Sequence, residues 1–254
     1  MLQLNSVCKN FGGLPALSDV SFNVPKGQLT ALIGPNGAGK STLINCITGV
    51  LTASSGSIIF QDKEIAELPA YEISRLGISR TFQNLRLFPR LSVLDNVLTG
   101  LTCKGGRSML MAMLRLPYLR HRERQLKLRS LEALDRFGLS DKINWPAEVL
   151  AYGDKKRVEL ARATVGRPDL LLLDEPVAGL NGEETAAVGE QLKLLRRAGH
   201  TLLLVEHDMD LVMEIADQVV VLDSGRCIAT GTPDEVRRNP LVLEAYLGRV
   251  EATA

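Results

Sequence analysis

Short, unbroken apolar runs alternate along this chain with stretches whose apolar residues recur every three to four positions. "LTALIG" (29–34), "LLLLD" (170–174) and "TLLLVE" (201–206) are too short for helices and too uniformly apolar for half-exposed strands. They predict strands buried on both faces, the pattern of a parallel sheet covered by helices. The first run ends in glycine and the other two in acidic residues. The opening segment, up to about residue 30, and "VVVLDSGRCIATG" (219–231) predict hairpins, the second turning at Ser224-Gly225. Between about 92 and 165 no strand pattern occurs, and "RLPYLRHRERQLKLRSLEALDRFGL" (115–139) carries Arg and Leu at helical spacing. The pattern predicts an α/β sheet core with an N-terminal antiparallel β subdomain and an inserted helical subdomain.

Length and charge narrow the function classes. A chain of 254 residues can bury a real core as one large domain with an inserted lobe. With 30 Lys+Arg against 29 Asp+Glu there is no global basic bias toward nucleic acid. The local basic run from Arg115 to Arg129 lacks the series of aromatic platforms that nucleic-acid stacking uses, and reads as a solvated face or a partner contact. Cys8, Cys46, Cys103 and Cys227 show no C-x-x-C spacing, so reduced thiols are expected rather than a metal site or a disulfide framework. No apolar run approaches the ~20 residues of a spanning helix, and "MLQLNSVCKN" lacks the basic and apolar regions of a signal peptide. A soluble protein that meets any membrane through a partner is expected.

The strongest chemical signal is "GPNGAGKST" (34–42), which fits G-x-x-x-x-G-K-[ST] at Gly34, Gly39, Lys40 and Ser41. It follows an apolar strand and precedes the helical "TLINCITG". Its glycines let backbone N–H groups curl around phosphate oxygens at a helix N-terminus, so Gly34, Pro35, Asn36, Gly37, Ala38, Gly39 and Thr42 are expected to line the nucleotide. Lys40 would reach the β- and γ-phosphates and Ser41 would ligate Mg²⁺. Such a loop serves GTPases, kinases and ATPases alike. The N-K-x-D that reads guanine is missing. "LLLLDE" (170–175) supplies the acidic partner: Asp174 would hold Mg²⁺ through water, and Glu175 would act as general base on the attacking water.

With these two motifs fixed, "LAYGD" (150–154), followed by the charged "KKRVELARA" and then the acidic strand, resembles the signature segment of the ATP-binding cassette (ABC) family, usually L-S-G-G-Q. Gly153 matches the second glycine; Ala151, Tyr152 and Asp154 depart from Ser, Gly and Gln. The resemblance runs over about residues 2–248 and implies further roles. In the family the signature contacts the γ-phosphate held by the opposite subunit, which assigns Tyr152, Gly153 and Asp154 to the nucleotide. "RTFQNLRLF" (80–88) resembles the Q-loop, with Gln83 directed to Mg²⁺ and the attacking water. "LVEHDM" (204–209) resembles the switch region, with His207 at the γ-phosphate. "VAGLN" (177–181) resembles the D-loop, Asn181 replacing the usual Asp. "KNFGGLPAL" (9–17) resembles the adenine-stacking loop, with Phe11 on the base, although a core Phe at a strand end fits that position nearly as well.

The resemblance divides residues 1–248 into a catalytic core lobe (1–91 and 166–248) and a helical subdomain (92–165), leaving 249–254 as a short tail. "LAYGD", "AGLN", "LPYLRHRE" and "GTPDEVRRNPLVLEAYLG" (231–248) are together similar to the ATPase subunits of branched-chain amino-acid importers. That implies ATP and Mg²⁺ as ligands, a second ATPase subunit, transmembrane permease subunits, a periplasmic binding protein, and a place at the cytoplasmic face of the inner membrane. Import of leucine, isoleucine and valine, or of urea and small amides, follows from the same resemblance. A lipid or lipopolysaccharide exporter would use the same motor with another membrane partner. A non-transport ABC ATPase would carry long coiled coils or two cassettes, and a small-molecule kinase would lack the signature.

Overall fold

The three apolar runs form neighbouring parallel strands. The structure, a computed structural model, describes residues 1–82, 85–101 and 117–247. Its larger sheet contains β3 (Leu29–Ile33), β6 (Ile78–Arg80), β7 (Leu170–Asp174), β8 (Thr201–Val205), β9 (Gln218–Asp223) and β10 (Arg226–Gly231), in the order β10-β9-β3-β8-β7-β6. All neighbours are parallel except β9 and β10, the hairpin expected at Ser224-Gly225. The smaller sheet is antiparallel and joins β1 (Leu2–Phe11), β2 (Leu14–Val24), β4 (Ser55–Phe60) and β5 (Lys63–Glu64) in the order β2-β1-β4-β5.

Alternating side chains of the central strands enter cores on opposite faces of the sheet, which is why nearly all their positions are apolar. Leu170, Leu172, Leu203, Val205 and Leu32 pack with helix α1 (Lys40–Ile47) and the small sheet. Leu171, Leu173, Leu202 and Leu204 pack with Val93, Val97, Leu134, Phe137 and Val158 and with α6 (Gly182–Arg197). Region 92–165 contains, among its described residues, α3 (Val93–Thr99), α4 (Pro117–Arg136), two short 3₁₀ turns and α5 (Tyr152–Thr164). Helix α2 (Ala70–Arg75) precedes β6, α7 (Met209–Ile215) follows β8, and α8 (Pro233–Arg237) and α9 (Pro240–Leu247) close the described chain. No helix among the described residues is long and apolar enough to cross a membrane.

Register now places the chemistry. Leu32 pairs with Val205, and Asp174 pairs with Val205 from the other side. Three parallel strands therefore end level, and the residues that leave them (Gly34, Glu175 and Glu206-His207) emerge side by side at one sheet edge. Open parallel sheets bind ligands at this edge.

Candidate active site

The phosphate loop leaves β3 and runs into α1, whose first turn has backbone N–H groups without helical partners. Gly37 and Gly39 take φ of 81° and 98°, the left-handed region that L side chains rarely adopt, and so turn successive N–H groups inward. A Cβ at Gly39 would lie 2.8 Å from the Ala16 carbonyl oxygen. The loop borders a cavity of about 440 Å³ lined by Asn36 to Thr42, by Glu175, and by Pro15, Ala16, Ser224 and Gly225.

Lys40 is held inside the loop, its Nζ donating to the carbonyls of Gly34 at 2.6 Å and Pro35 at 2.9 Å. Burial lowers its pKa, and the negative charges of Glu175 and Asp174 oppose that shift. The two carboxylates thus lie close enough to the lysine to act on its charge. Asp174 is buried, and its Oδ2 accepts from Arg80 Nη2 at 2.8 Å. The same guanidinium donates to Asn45 at 2.6 Å, which ties the acidic strand to α1. Ser41 lies exposed at the rim of the cavity.

Glu175 is half-buried and has φ of 50°. Its N–H donates to Val205 at 2.9 Å, and its carbonyl accepts from Lys156 Nζ at 3.1 Å. Glu206 is fully buried and bridges two loops: one oxygen accepts the Val177 N–H at 3.0 Å and the other the His207 N–H at 3.2 Å. Burial raises the Glu206 pKa, and the two backbone donors oppose the rise. The His207 imidazole is exposed, with Nδ1 3.9 Å from Glu206.

The remaining expected residues sit elsewhere. Gln83 lies outside the described residues. Phe11 is exposed at the end of β1, with the Lys9 ammonium 5.3 Å from its ring; the cavity wall nearby is made by Pro15 and Ala16 instead. Ala151 precedes α5 as its N-cap, so Tyr152, Gly153 and Asp154 form the helix's first turn. Tyr152 is exposed and donates to the Ala178 carbonyl at 3.3 Å. Gly153 is buried beside Glu184. Asp154 is buried and ion-paired with Lys142 at 2.6 Å and with Arg157. Asn181 caps α6, its side chain accepting the Glu184 N–H at 2.9 Å in a reciprocal capping box. Within one chain, then, the phosphate loop, Asp174 and Glu175 come together, whereas the first turn of α5 packs on Ala178, Gly179 and Glu184 and does not line the phosphate cavity. Arg80, Lys156 and Glu206, which hold the site's backbone and carboxylates, were not singled out from sequence. Only Glu206 carries a local signal, as a carboxylate that ends a buried strand just before the histidine.

The ABC transporter family model matches residues 17–178, and a model described as branched-chain amino acid ATP-binding cassette transporter matches residues 226–252. The chain is 41% identical over 249 residues to the high-affinity branched-chain amino acid transport ATP-binding protein LivG of Salmonella typhimurium, covering 98% of each. Its structure superposes with a TM-score of 0.85 on the ADP conformation of an ATP-binding cassette of an ABC transporter, at 34% identity and 98% coverage of each chain. A dimeric cassette in a post-hydrolysis state with ADP and Pi superposes with a TM-score of 0.77 at 26% identity, covering 92% of this chain and 99% of that one.

Proposed function

The chain belongs to the ABC transporter family and is an ATPase, and from that premise we propose that it is the motor subunit of an importer of branched-chain amino acids. The observation that carries the mechanism is one cavity lined by both the phosphate loop and Glu175. The observation that carries the substrate class is full-length likeness to LivG, together with the match over 226–252.

The nucleotide phosphates are received by the inward N–H groups of Gly37 to Ser41 and by Lys40, which exchanges its bonds to Gly34 and Pro35 for phosphate oxygens. The residues present suit a hard cation: the Ser41 hydroxyl and the Asp174 carboxylate are oxygen donors beside the loop. Mg²⁺ held there would neutralise charge on the β- and γ-phosphates. Glu175 takes the proton of the attacking water, and its position on the cavity wall supports that role. His207 and Gln83 complete the γ-phosphate contacts in this reading. Phe11 stacks on the base.

The first turn of α5, in which Tyr152 is exposed, addresses the nucleotide of a second ATPase subunit through Tyr152 and the helix N-terminus. The division into a core lobe and a helical subdomain at 92–165 belongs to the same reading. A cavity of about 480 Å³ lies between them, lined by Val50, Ile73, Phe82, Phe88, Arg86 and Arg162 among others, and takes the cytoplasmic part of a permease subunit. The protein then works peripherally at the cytoplasmic face of the inner membrane, with a periplasmic binding protein delivering substrate.

Uptake of labelled leucine, isoleucine and valine, with urea and short amides alongside, tests this in source cells carrying Lys40→Ala. Loss confined to the branched-chain amino acids supports the proposal. Loss confined to urea or amides, or no change in any of them, rejects the substrate assignment.

A further inference from the structure

Glu175 occupies a backbone conformation that a non-glycine residue rarely adopts, with φ of 50°. Such a conformation persists only where its surroundings hold it. Three hydrogen bonds do so. The Glu175 N–H donates to Val205 at 2.9 Å, and the Glu175 carbonyl accepts from the Ala178 N–H at 3.3 Å and from Lys156 Nζ at 3.1 Å. The first two come from the catalytic edge itself. The third comes from α5, the helix that begins with the signature turn.

Lys156 is only 1% exposed. A lysine is seldom buried without a partner that repays its desolvation. The partners here are the Glu175 carbonyl and the Tyr152 ring, whose centroid lies 5.9 Å from Nζ. One helical turn earlier, the Tyr152 hydroxyl donates to the Ala178 carbonyl at 3.3 Å. Its ring covers Gly179, where an added Cβ would lie 3.2 Å from Cε1. Helix α5 thus grips the loop 175–179 at both ends: Lys156 on Glu175 and Tyr152 on Ala178.

We propose that Lys156 is a positioning residue for Glu175, and that with Tyr152 it ties the signature end of α5 to the hydrolytic carboxylate of the same chain. This rests on the reading of Glu175 as the general base. Lys156 is buried and does not line the phosphate cavity. It fixes the carbonyl of Glu175 and therefore the direction of the Cα–Cβ bond that carries the carboxylate. When the first turn of α5 engages the nucleotide of a second subunit, the same helix is held in the pose that keeps Glu175 directed at its own cavity. The atypical tyrosine of "LAYGD" then has a use within its own chain: it is the second grip on the loop.

The test compares the full-length chain with Lys156→Met, which keeps length and apolar contact but removes the donor, and with Tyr152→Phe, which keeps the ring but removes the hydroxyl. Lys156→Met should lower kcat for ATP about tenfold or more, since a misplacement near 1 Å costs on the order of 100-fold. KM for ATP and the affinity of a fluorescent ATP analogue should stay within about twofold, because the phosphate loop is untouched. Tyr152→Phe should lower kcat less and in the same direction; it replaces a surface hydroxyl and guards against a lysine variant that does not fold. Wild-type kcat in both variants overturns the proposal. So does a fall in kcat matched by equal falls in analogue affinity and melting temperature, which would make Lys156 a packing residue. Glu175→Gln run in parallel separates the two levels: if it hydrolyses ATP normally, the general-base reading fails. If it is inactive while Lys156→Met is normal, only the tie fails.

Discussion

Replacing Asp154 by alanine separates two roles that its position in the signature turn suggests. Its carboxylate is 6% exposed and sits between Lys142, at 2.6 Å, and Arg157. It also lies in the first turn of α5, where the helix dipole favours an anion by about 0.3–1 kcal/mol. Breaking a buried ion pair by removing one partner costs about 3–5 kcal/mol. Here the two cations are 24% and 34% exposed, and water can solvate them once the carboxylate is gone. That solvation brings the cost below this range, to about 2–3 kcal/mol for Asp154→Ala. For a chain of this size each kcal/mol moves Tm by about 2–4 °C, which gives a fall of about 4–12 °C. Thermal unfolding followed by circular dichroism measures it, with a fluorescent ATP analogue reporting the phosphate loop. The analogue affinity should be unchanged below the transition. A double-mutant cycle with Lys142→Met should show a coupling of about 0.5–3 kcal/mol. A variant that melts with the wild type but has lost hydrolysis tenfold would refute the reasoning, because the carboxylate would then be serving nucleotide rather than the helical region.

Gly34→Ala should weaken binding of the ATP analogue at least tenfold: φ is 148°, and the new Cβ would fall on the Leu222 carbonyl oxygen, so the loop must move; normal affinity would count against the cradle. Glu175→Gln should accumulate as an ATP-bound dimer under Mg-ATP, with its paired subunit where one is needed, and light scattering that finds monomer alone would reject this. Glu206 provides the pH dependence. Burial raises its pKa in the folded state, so between the ordinary carboxylate value near ~4.3 and that raised value the folded chain holds more protons than the unfolded one. Its contribution to stability is therefore greatest at low pH and is lost as pH rises through that window. Glu206→Gln should make the slope of Tm against pH less negative in weak acid, and an identical slope would disprove the assignment.

The phosphate loop and the acidic strand were legible because each is a local pattern. A loop of glycines must follow a strand, and "LLLLD" states its own burial. The phosphate loop and Glu175 meet in space because β3, β8 and β7 end level, which follows once a parallel sheet is assumed. What the sequence hid are ties between distant residues. Arg80 and Asp174 are 94 positions apart and Tyr152 and Ala178 are 26 apart, and no periodicity announces either contact. Asp154 and Asn181 show a different difficulty. A polar residue in a functional segment reads as a ligand contact, yet both side chains here satisfy neighbours in their own fold, one as an ion pair and one as a helix cap. Phe11 was an aromatic at the right place in the order, and the chain turns it outward beside Lys9.

Four consecutive leucines in β7 carry little information about alignment, since a shift of one residue still leaves a leucine at three of the four positions. The alignment marks lie at the ends of the strand. At one end the N–H groups of Asp169 and Leu170 both reach the Gly77 carbonyl, at 2.8 and 3.2 Å. At the other, Arg80 grips the Asp174 carboxylate and the Thr81 hydroxyl lies 3.1 Å from the Asp174 N–H. These work as the two stops of a slide rule. A slip of one residue would put Glu175 where Asp174 stands and turn every side chain of the strand to the opposite core. Deleting a single leucine from this run should therefore be as damaging as losing the acidic pair itself.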